Sequence, residues 1–546
     1  MRPLRKSLSI LLAGAGALSA TQATDLRTRA EATAFEHTSR YEDVRAVLDR
    51  LAAAQPRLVH VTSFGASEEG RRLPLAVLGS PAPGDAAAAR RTDRVRVLVL
   101  GAIHGGEVEG KEAALLLARR LGGGDLRRLL DRITVLLAPL YNADGNERIS
   151  VDHRPDQFGP VGGVGTRENA RGLDLNRDFV KLEAAESRHL VALIAAWDPH
   201  VVIDLHTTNG SYHGYHLTYA PTLAVNADPE LAQVTRHLLE SARQVLADRG
   251  WRSYSYGNFV SEGALDRVLE RPQSGAPAWR TFDARPRFVT NGVGLRNRIA
   301  ILSEAYSYLG FERRVRVTEA FVETLLALIA RRAPALAALT ARIDRATAEA
   351  GARGALGPFG TRGTLTPRDG AVRILVGDVD SRPHPATGRP MTTMRESTAR
   401  PTLMQDYASF APAGLARVPR AYVVPAGQAH GRLAARIGAL LDRHGIAFER
   451  LIAPARLQVE AATPARVTFS EQAVQGHHPV ELSGLTWASR AVDVPQGSLR
   501  VSMGQPLARL AFHLLEPASD DGVVTWNMVD DWLGAGIEVP IYRVVD

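Results

Sequence analysis

The chain has 546 residues, 45% hydrophobic and 23% charged, an ordinary globular balance with ample material for two or three domains. Its formal charge is +8, of which Arg2, Arg5 and Lys6 supply three; the rest is spread over many arginines and does not argue for nucleic acid. With no cysteine, disulfides, thiolate zinc sites and a Cys nucleophile are all excluded.

The first residues read MRPLRK, SLSILLAGAGAL and SATQAT. A basic start, a short apolar stretch and small residues around Ala23 predict a secretory signal peptide over residues 1–23, and hence an exported protein, periplasmic or extracellular. The apolar stretch is too short for a stable transmembrane helix, and no later segment has the length of unbroken apolar sequence that a membrane span needs. Helical spacing follows from Tyr41 to Ala54, then strand-like sequence from Val59 to Gly101 with a break at Ser80–Ala89. Val95–Leu100 reads as a strand buried on both faces. Val108–Leu121 reads as a helix stopped by Gly122, Gly123 and Gly124. Ile133–Leu140 is the next strand, Arg148–Gly172 a loop, Leu182–Trp197 a helix and Val201–Leu205 a second buried strand. Residues 207–290, rich in Tyr, Pro and Arg, read as pocket-building loops. Ile299–Ser303 is a strand and Thr318–Arg332 a helix. Strands alternating with helices predict an α/β fold, a mostly parallel mixed sheet with helices on both faces. Residues 36–340 form this domain, and 341–370, with GARGALGPFGTRGTLTPRDG at the end, read as a linker. Residues 371–546 read as a smaller accessory domain, α/β or β-rich, with strands near Ala421–Val424, Ala465–Phe469 and Leu499–Val501 and a helix at Gly431–His444.

Four strand-like runs end in residues suited to a metal site. RVRVLVLGAIHGGE delivers His104 and Glu107, GLDLNRD delivers Asp174, Asn176 and Arg177, VVIDLHTT ends in His206, and RIAILSE ends in Glu304. In open α/β sheets, sites form beyond the carboxyl ends of strands. His104 and Glu107 can offer nitrogen and oxygen to one zinc ion, and a catalytic zinc takes a third protein ligand and leaves a place for water. His206 fits that third place; its rivals His213 and His216, in a Gly/Tyr-rich loop, read as wall residues. Asp174 is suited to accept the second imidazole N–H of a ligating histidine. Asn176 and Arg177 suit a substrate carboxylate, which arginine binds bidentately. Glu304, a carboxylate closing an apolar strand, suits a general base, with Glu312 in the next loop as rival. The acidic, aromatic stretch 513–527 reads as a structural turn, and His477 and His478 as solvated.

With HGGE at 104–107, NADG at 142–145, RGLDLNRDF at 171–179, DLH at 204–206 and Glu304, the chain resembles the zinc metallocarboxypeptidases of the carboxypeptidase A/B kind over about residues 36–335. The resemblance implies one Zn2+ per chain held by His104, Glu107 and His206, and a peptide substrate whose free C-terminal carboxylate meets Asn176 and Arg177. It implies Glu304 as the base and an upstream arginine that polarises the scissile carbonyl: Arg167, with Arg154 and Arg171 as alternatives. The family's substrate-covering tyrosine has no counterpart close before Glu304; Tyr254 and Tyr256 are available. The same motifs also fit a zinc amidase or deacylase acting on cell-wall peptides or acylated amino acids, and a catalytically silent peptide- or glycan-binding protein.

Overall fold

Val95–Gly101 and Val201–Thr208 are buried along their whole length. Strands covered on both faces belong in the middle of a sheet. In the computed structural model, which describes residues 25–208, 210–273 and 275–545, these two lie side by side and parallel at the centre of eight strands. The leader read at residues 1–23 lies outside the described residues. From one edge the strand order is Val59–Ala66, Arg72–Leu78, Ile133–Ala138, Val95–Gly101, Val201–Thr208, Ile299–Tyr306, Leu217–Pro221 and Ser253–Ser255. Four of the seven pairings are parallel and three antiparallel, the antiparallel ones lying towards the edges.

Alternation along the strands builds two cores. Val97, Val99, Ile203 and Ile301 face Leu115, Leu121, Phe321 and Leu325 from helices Glu109–Gly123 and Phe311–Arg331. Leu98, Leu100, Val202 and Ala300 face Leu190, Val191 and Ile194 of helix Ala185–Trp197. The expected mixed α/β sheet with helices on both faces is therefore present. No single described helix is long and apolar enough to cross a membrane.

Residues 207–290 are more regular than the loop reading. They contain a 20-residue helix, Pro229–Asp248, and strands Leu217–Pro221, Ser253–Ser255, Asn258–Ser261, Ala264–Leu269 and Pro277–Arg280. The helix is set by its own sequence: Asp228 caps the N–H groups of Glu230 and Leu231, Pro229 opens the first turn, and Leu231, Leu238, Leu239, Ala242 and Leu246 bury one face.

The segment 341–370, expected as a linker, is largely ordered. Helix Ala333–Ala352 runs through its first part, with Leu336, Leu339 and Ile343 buried against the main core, and strand Phe359–Thr366 follows. Nor does 371 begin a separate body. Strands Val372–Pro383 and Pro390–Tyr407 form a long hairpin that adds to Pro277–Arg280, with Ala278 opposite Gln405 and Arg280 opposite Tyr407. The seam is sealed by Trp279, Phe259, Ile374 and Met404, all buried.

The remaining chain forms a second, six-stranded sheet, ordered Glu449–Arg450, Leu499–Ser502, Ala421–Val424, Tyr542–Val544, Ala455–Thr463 and Thr486–Val494. Helices Gly427–His444 and Ala508–Leu515 cover it through Leu433, Ile437, Leu441 and Phe512. Val180 and Leu295 of the first part enter this same core. Arg287 crosses the junction to donate from its backbone N–H and its Nε to Asp521 (2.7 and 2.8 Å). The stretch 513–527 thus supplies a buried anchor, with Trp526 Nε1 also donating to Asp521 (2.8 Å).

Candidate metal centre

His104 follows strand Val95–Gly101 by three residues, and a backbone squeeze fixes the turn that carries it. A Cβ at Gly105 would lie 2.4 Å from the carbonyl carbon of Gly145, and one at Gly106 2.8 Å from the carbonyl oxygen of Gly165. Only glycine fits between these backbones, so the HGGE spacing reflects close approach as well as ligand placement. His206 and Glu304 are register partners on adjacent parallel strands, which puts both side chains on the same side of the sheet.

His104, Glu107 and His206 converge and are buried. His104 Nδ1 lies 3.0 Å from Glu107 Oε1, and His206 Nδ1 lies 3.0 Å from Glu107 Oε2. Donors bonded to tetrahedral zinc at about 2.0 Å stand about 3.3 Å apart, so one ion fits with little adjustment. Two imidazoles and a carboxylate are a donor set zinc accepts.

Each histidine turns its other nitrogen to a carboxylate. His104 Nε2 is 3.1 Å from Asp174 Oδ1, and His206 Nε2 is 2.9 Å from Asp204 Oδ2. The Asp174 oxygen is hydrogen-bonded to its ring and orients it, whereas the Asp204 contact is a close ion pair without hydrogen-bond geometry; both leave Nδ1 for the metal. Asp174 thus lies where the sequence reading placed it. Asp204 was given no role there, although its position two residues before His206 in a strand puts both side chains on one face.

Charge dominates the electrostatics of the cluster. Burial resists ionisation of Glu107, but His104 and Arg154 overcome it and hold the carboxyl well below its usual range. Burial likewise disfavours the His206 cation, yet Asp204 and Glu107 raise its pKa well above normal. Asp174 is held low by His104, Arg167 and Arg177 against its burial. Burial pushes Glu304 up to about 8, with His206 opposing and Glu107 reinforcing the rise.

Arg154 donates to Glu107 Oε1 (2.9 Å) and to the carbonyl of Thr207 (3.1 Å). Arg167 donates through Nε to Asp174 Oδ2 (3.0 Å), and its Nη1 stands 3.8 Å from Glu107 Oε1. Arg171 faces elsewhere, donating to the carbonyl of Glu183 (3.0 Å). Asn176 Oδ1 accepts from the Val289 N–H (3.0 Å), leaving its N–H2 as the donor end. Arg177 donates to the Asn176 carbonyl (2.9 Å) and lies over the Phe288 ring at 4.1 Å. Glu312 is outside the cluster, paired with Arg316 at 3.6 Å. His213 stacks by Tyr306 with ring centroids 4.0 Å apart, and His216 Nε2 meets Glu396 at 2.9 Å, so neither joins the metal cluster. Of the two tyrosines, Tyr256 is the one whose ionisation Glu304 opposes; its ring meets Phe282 edge-on at 5.8 Å. Tyr254 instead stacks on Tyr215 at 5.3 Å.

Residues 44–279 match the zinc carboxypeptidase family. This stretch is a zinc carboxypeptidase domain. It contains the three candidate ligands and the Asp174–Arg177 segment, while Glu304 lies beyond it on the strand paired with that of His206. The domain makes the chain a metallopeptidase, in line with the resemblance read from the sequence. "Carboxypeptidase 2" of Trichophyton rubrum is 22% identical over 529 residues, covering 93% of this chain and 86% of its own length, so the likeness extends through the second part. Human "Carboxypeptidase Z" is 33% identical over 178 residues, 32% of this chain and 26% of that protein. A metallo-carboxypeptidase structure from Burkholderia cenocepacia is 19% identical, with a TM-score of 0.38, covering 53% of this chain and 69% of its own.

Proposed function

We propose that the chain is an exported carboxypeptidase that binds one zinc ion and removes the C-terminal residue of peptides. The observation that carries this reading is the double role of Asp174. One of its oxygens orients His104 and caps the Asn176 N–H, and the other takes Arg167 and stands 3.9 Å from Arg177. Metal cradle and carboxylate clamp are thus built on one side chain, so a substrate held by its end presents its last amide to the metal. The leader read at residues 1–23 supports export to the periplasm or beyond.

A zinc ion held by His104, Glu107 and His206 would supply a Lewis acid and bring the pKa of a bound water to about 7. The chain's own residues do the rest. Arg177 and the Asn176 carboxamide hold the terminal carboxylate. Glu304 accepts the proton of the attacking water and delivers it to the leaving amine. Arg154 is committed to Glu107 and Thr207, so Arg167, the more exposed of the two, is the arginine that stabilises the developing oxyanion.

Kinetics on one peptide as free acid and as C-terminal amide test the reading. Arg177→Ala is expected to raise KM for the acid by roughly 100-fold, the loss of a charge-assisted pair, and to leave the amide nearly unaffected. Equal losses on both substrates would remove the clamp and favour an amidase or deacylase.

A further inference from the structure

A tight turn from the last third of the chain reaches the backbone of Asp174 beside the candidate metal centre. Strands Arg466–Phe469 and Val480–Ser483 form a small hairpin, and the segment between them doubles back at Val474 and His477, which exchange backbone bonds of 2.7 and 3.0 Å. Gln475 and Gly476 occupy the tip with φ of 53° and 78°, the doubly left-handed pair of a type I′ turn. That conformation is unfavourable for a residue with a Cβ. It directs the Gln475 side chain across to the other part of the molecule, where Oε1 accepts the Asp174 N–H at 2.8 Å.

The turn is held from behind. His477 Nε2 is 2.9 and 3.0 Å from the two carboxylate oxygens of Glu183, and its ring stands edge-on to Trp526 at 5.5 Å. Asn527 donates to the His478 carbonyl (2.9 Å). Trp526 is fully buried and carries Lys181 and Arg287 over its ring at 3.9 and 4.5 Å. Gln475 is therefore mounted on the buried junction between the two parts of the chain.

The segment it touches has little stability of its own. Asp174 caps a three-residue 3-10 helix, Leu175–Arg177, and so short a helix cannot hold its geometry without outside bonds. We propose that Gln475 is a positioning residue of the active site: by fixing the Asp174 backbone it sets Asn176 and Arg177 against the metal cradle. The accessory part thereby completes the substrate-binding wall of the catalytic part. This inference rests on the carboxylate-clamp reading above.

Gln475→Met keeps length and removes the acceptor. In the full-length zinc enzyme it is expected to retain one zinc per chain, raise KM for the free-acid peptide roughly fivefold, the loss of one neutral hydrogen bond, and change kcat by less than about twofold. KM for the amidated peptide is expected to stay constant. His477→Ala, which frees the turn from Glu183 without touching Asp174, is expected to shift KM in the same direction by less. If Gln475→Met is recovered unfolded, Gln475→Asn, one methylene too short to reach, reads the same quantity. An unchanged KM for the acid, or equal losses on acid and amide, overturns the proposal. Arg177→Ala run beside them separates the two ideas: an effect of Arg177→Ala without one of Gln475→Met sinks the positioning role alone, and no selective effect from either sinks the clamp as well.

Discussion

At the scale of single residues, the site is two imidazoles whose usefulness depends on the carboxylates behind them. Asp204 lies 2.9 Å from His206 and Asp174 3.1 Å from His104. Removing an orienting carboxylate from a metal-bound histidine typically costs 10–100-fold in metal affinity. Asp204→Asn is therefore expected to lower zinc affinity by about 10- to 100-fold while the chain stays folded, read by competition with a chelating dye. An unchanged affinity would make Asp204 a bystander. The ligands themselves were legible because each ends an apolar strand, and the order HGGE, NRD, DLH and LSE is itself informative. The Asp204 contribution was visible only as an i, i+2 pair in a strand. Such a pair acquires meaning once the facing side of the sheet is known to hold a metal. The choice among Arg154, Arg167 and Arg171 had no sequence signal, because loop 148–172 fixes their directions through backbone turns such as the left-handed Arg154 (φ 50°).

Elements show the same division. The buried strands Val95–Gly101 and Val201–Thr208 and the helix Tyr41–Ala54 follow from apolar runs and helical spacing and lie where the sequence puts them. Helix Pro229–Asp248 was hidden by the surrounding Tyr, Pro and Arg, although Asp228-Pro229-Glu230 is a helix-start signal in its own right. That cap has a measurable weight: Asp228→Ala removes the acceptor for two N–H groups and also the Arg509 contact at 2.9 Å. A loss of about 1 kcal/mol is expected for the cap alone, seen as a lower unfolding temperature. Hydrogen exchange confined to 229–248 should accelerate with it. If protection there is unaltered, tertiary burial rather than the cap defines the helix end.

For the molecule as a whole, the two parts are fused by side chains far apart in sequence. Gln475 and Asp174 are separated by 301 positions. Arg287 and Asp521 are separated by 234. Neither pair carries a local pattern, so the linker reading of 341–370 came from composition alone. Glycine and proline there mark turns around a packed helix and strand instead of a flexible tether. The seam also holds a buried acid. Asp406 on the long hairpin is fully buried opposite Trp279, and burial raises it to about 6, with Arg368 at 3.2 Å opposing the rise. Its ordinary value is near 4. The unfolded chain therefore ionises first, and the stability this group contributes below pH about 4 is lost as pH climbs through about 6. Asp406→Asn is expected to raise the unfolding temperature at pH 7.5 and leave it nearly unchanged at pH 4, a gain of at most about 3 kcal/mol. Equal effects at both pH values would show that ionisation of Asp406 does not matter.

The most direct test of the central claim is a peptide-library digest read by mass spectrometry, with the enzyme as isolated, after chelation, and after zinc is restored. Stepwise loss of single C-terminal residues is expected from the first and third samples and none from the second, with peptides blocked as C-terminal amides trimmed far more slowly than the free acids. Internal cleavage, trimming of amidated peptides as fast as of free acids, or full activity in the chelated sample would contradict a zinc carboxypeptidase built on His104, Glu107 and His206.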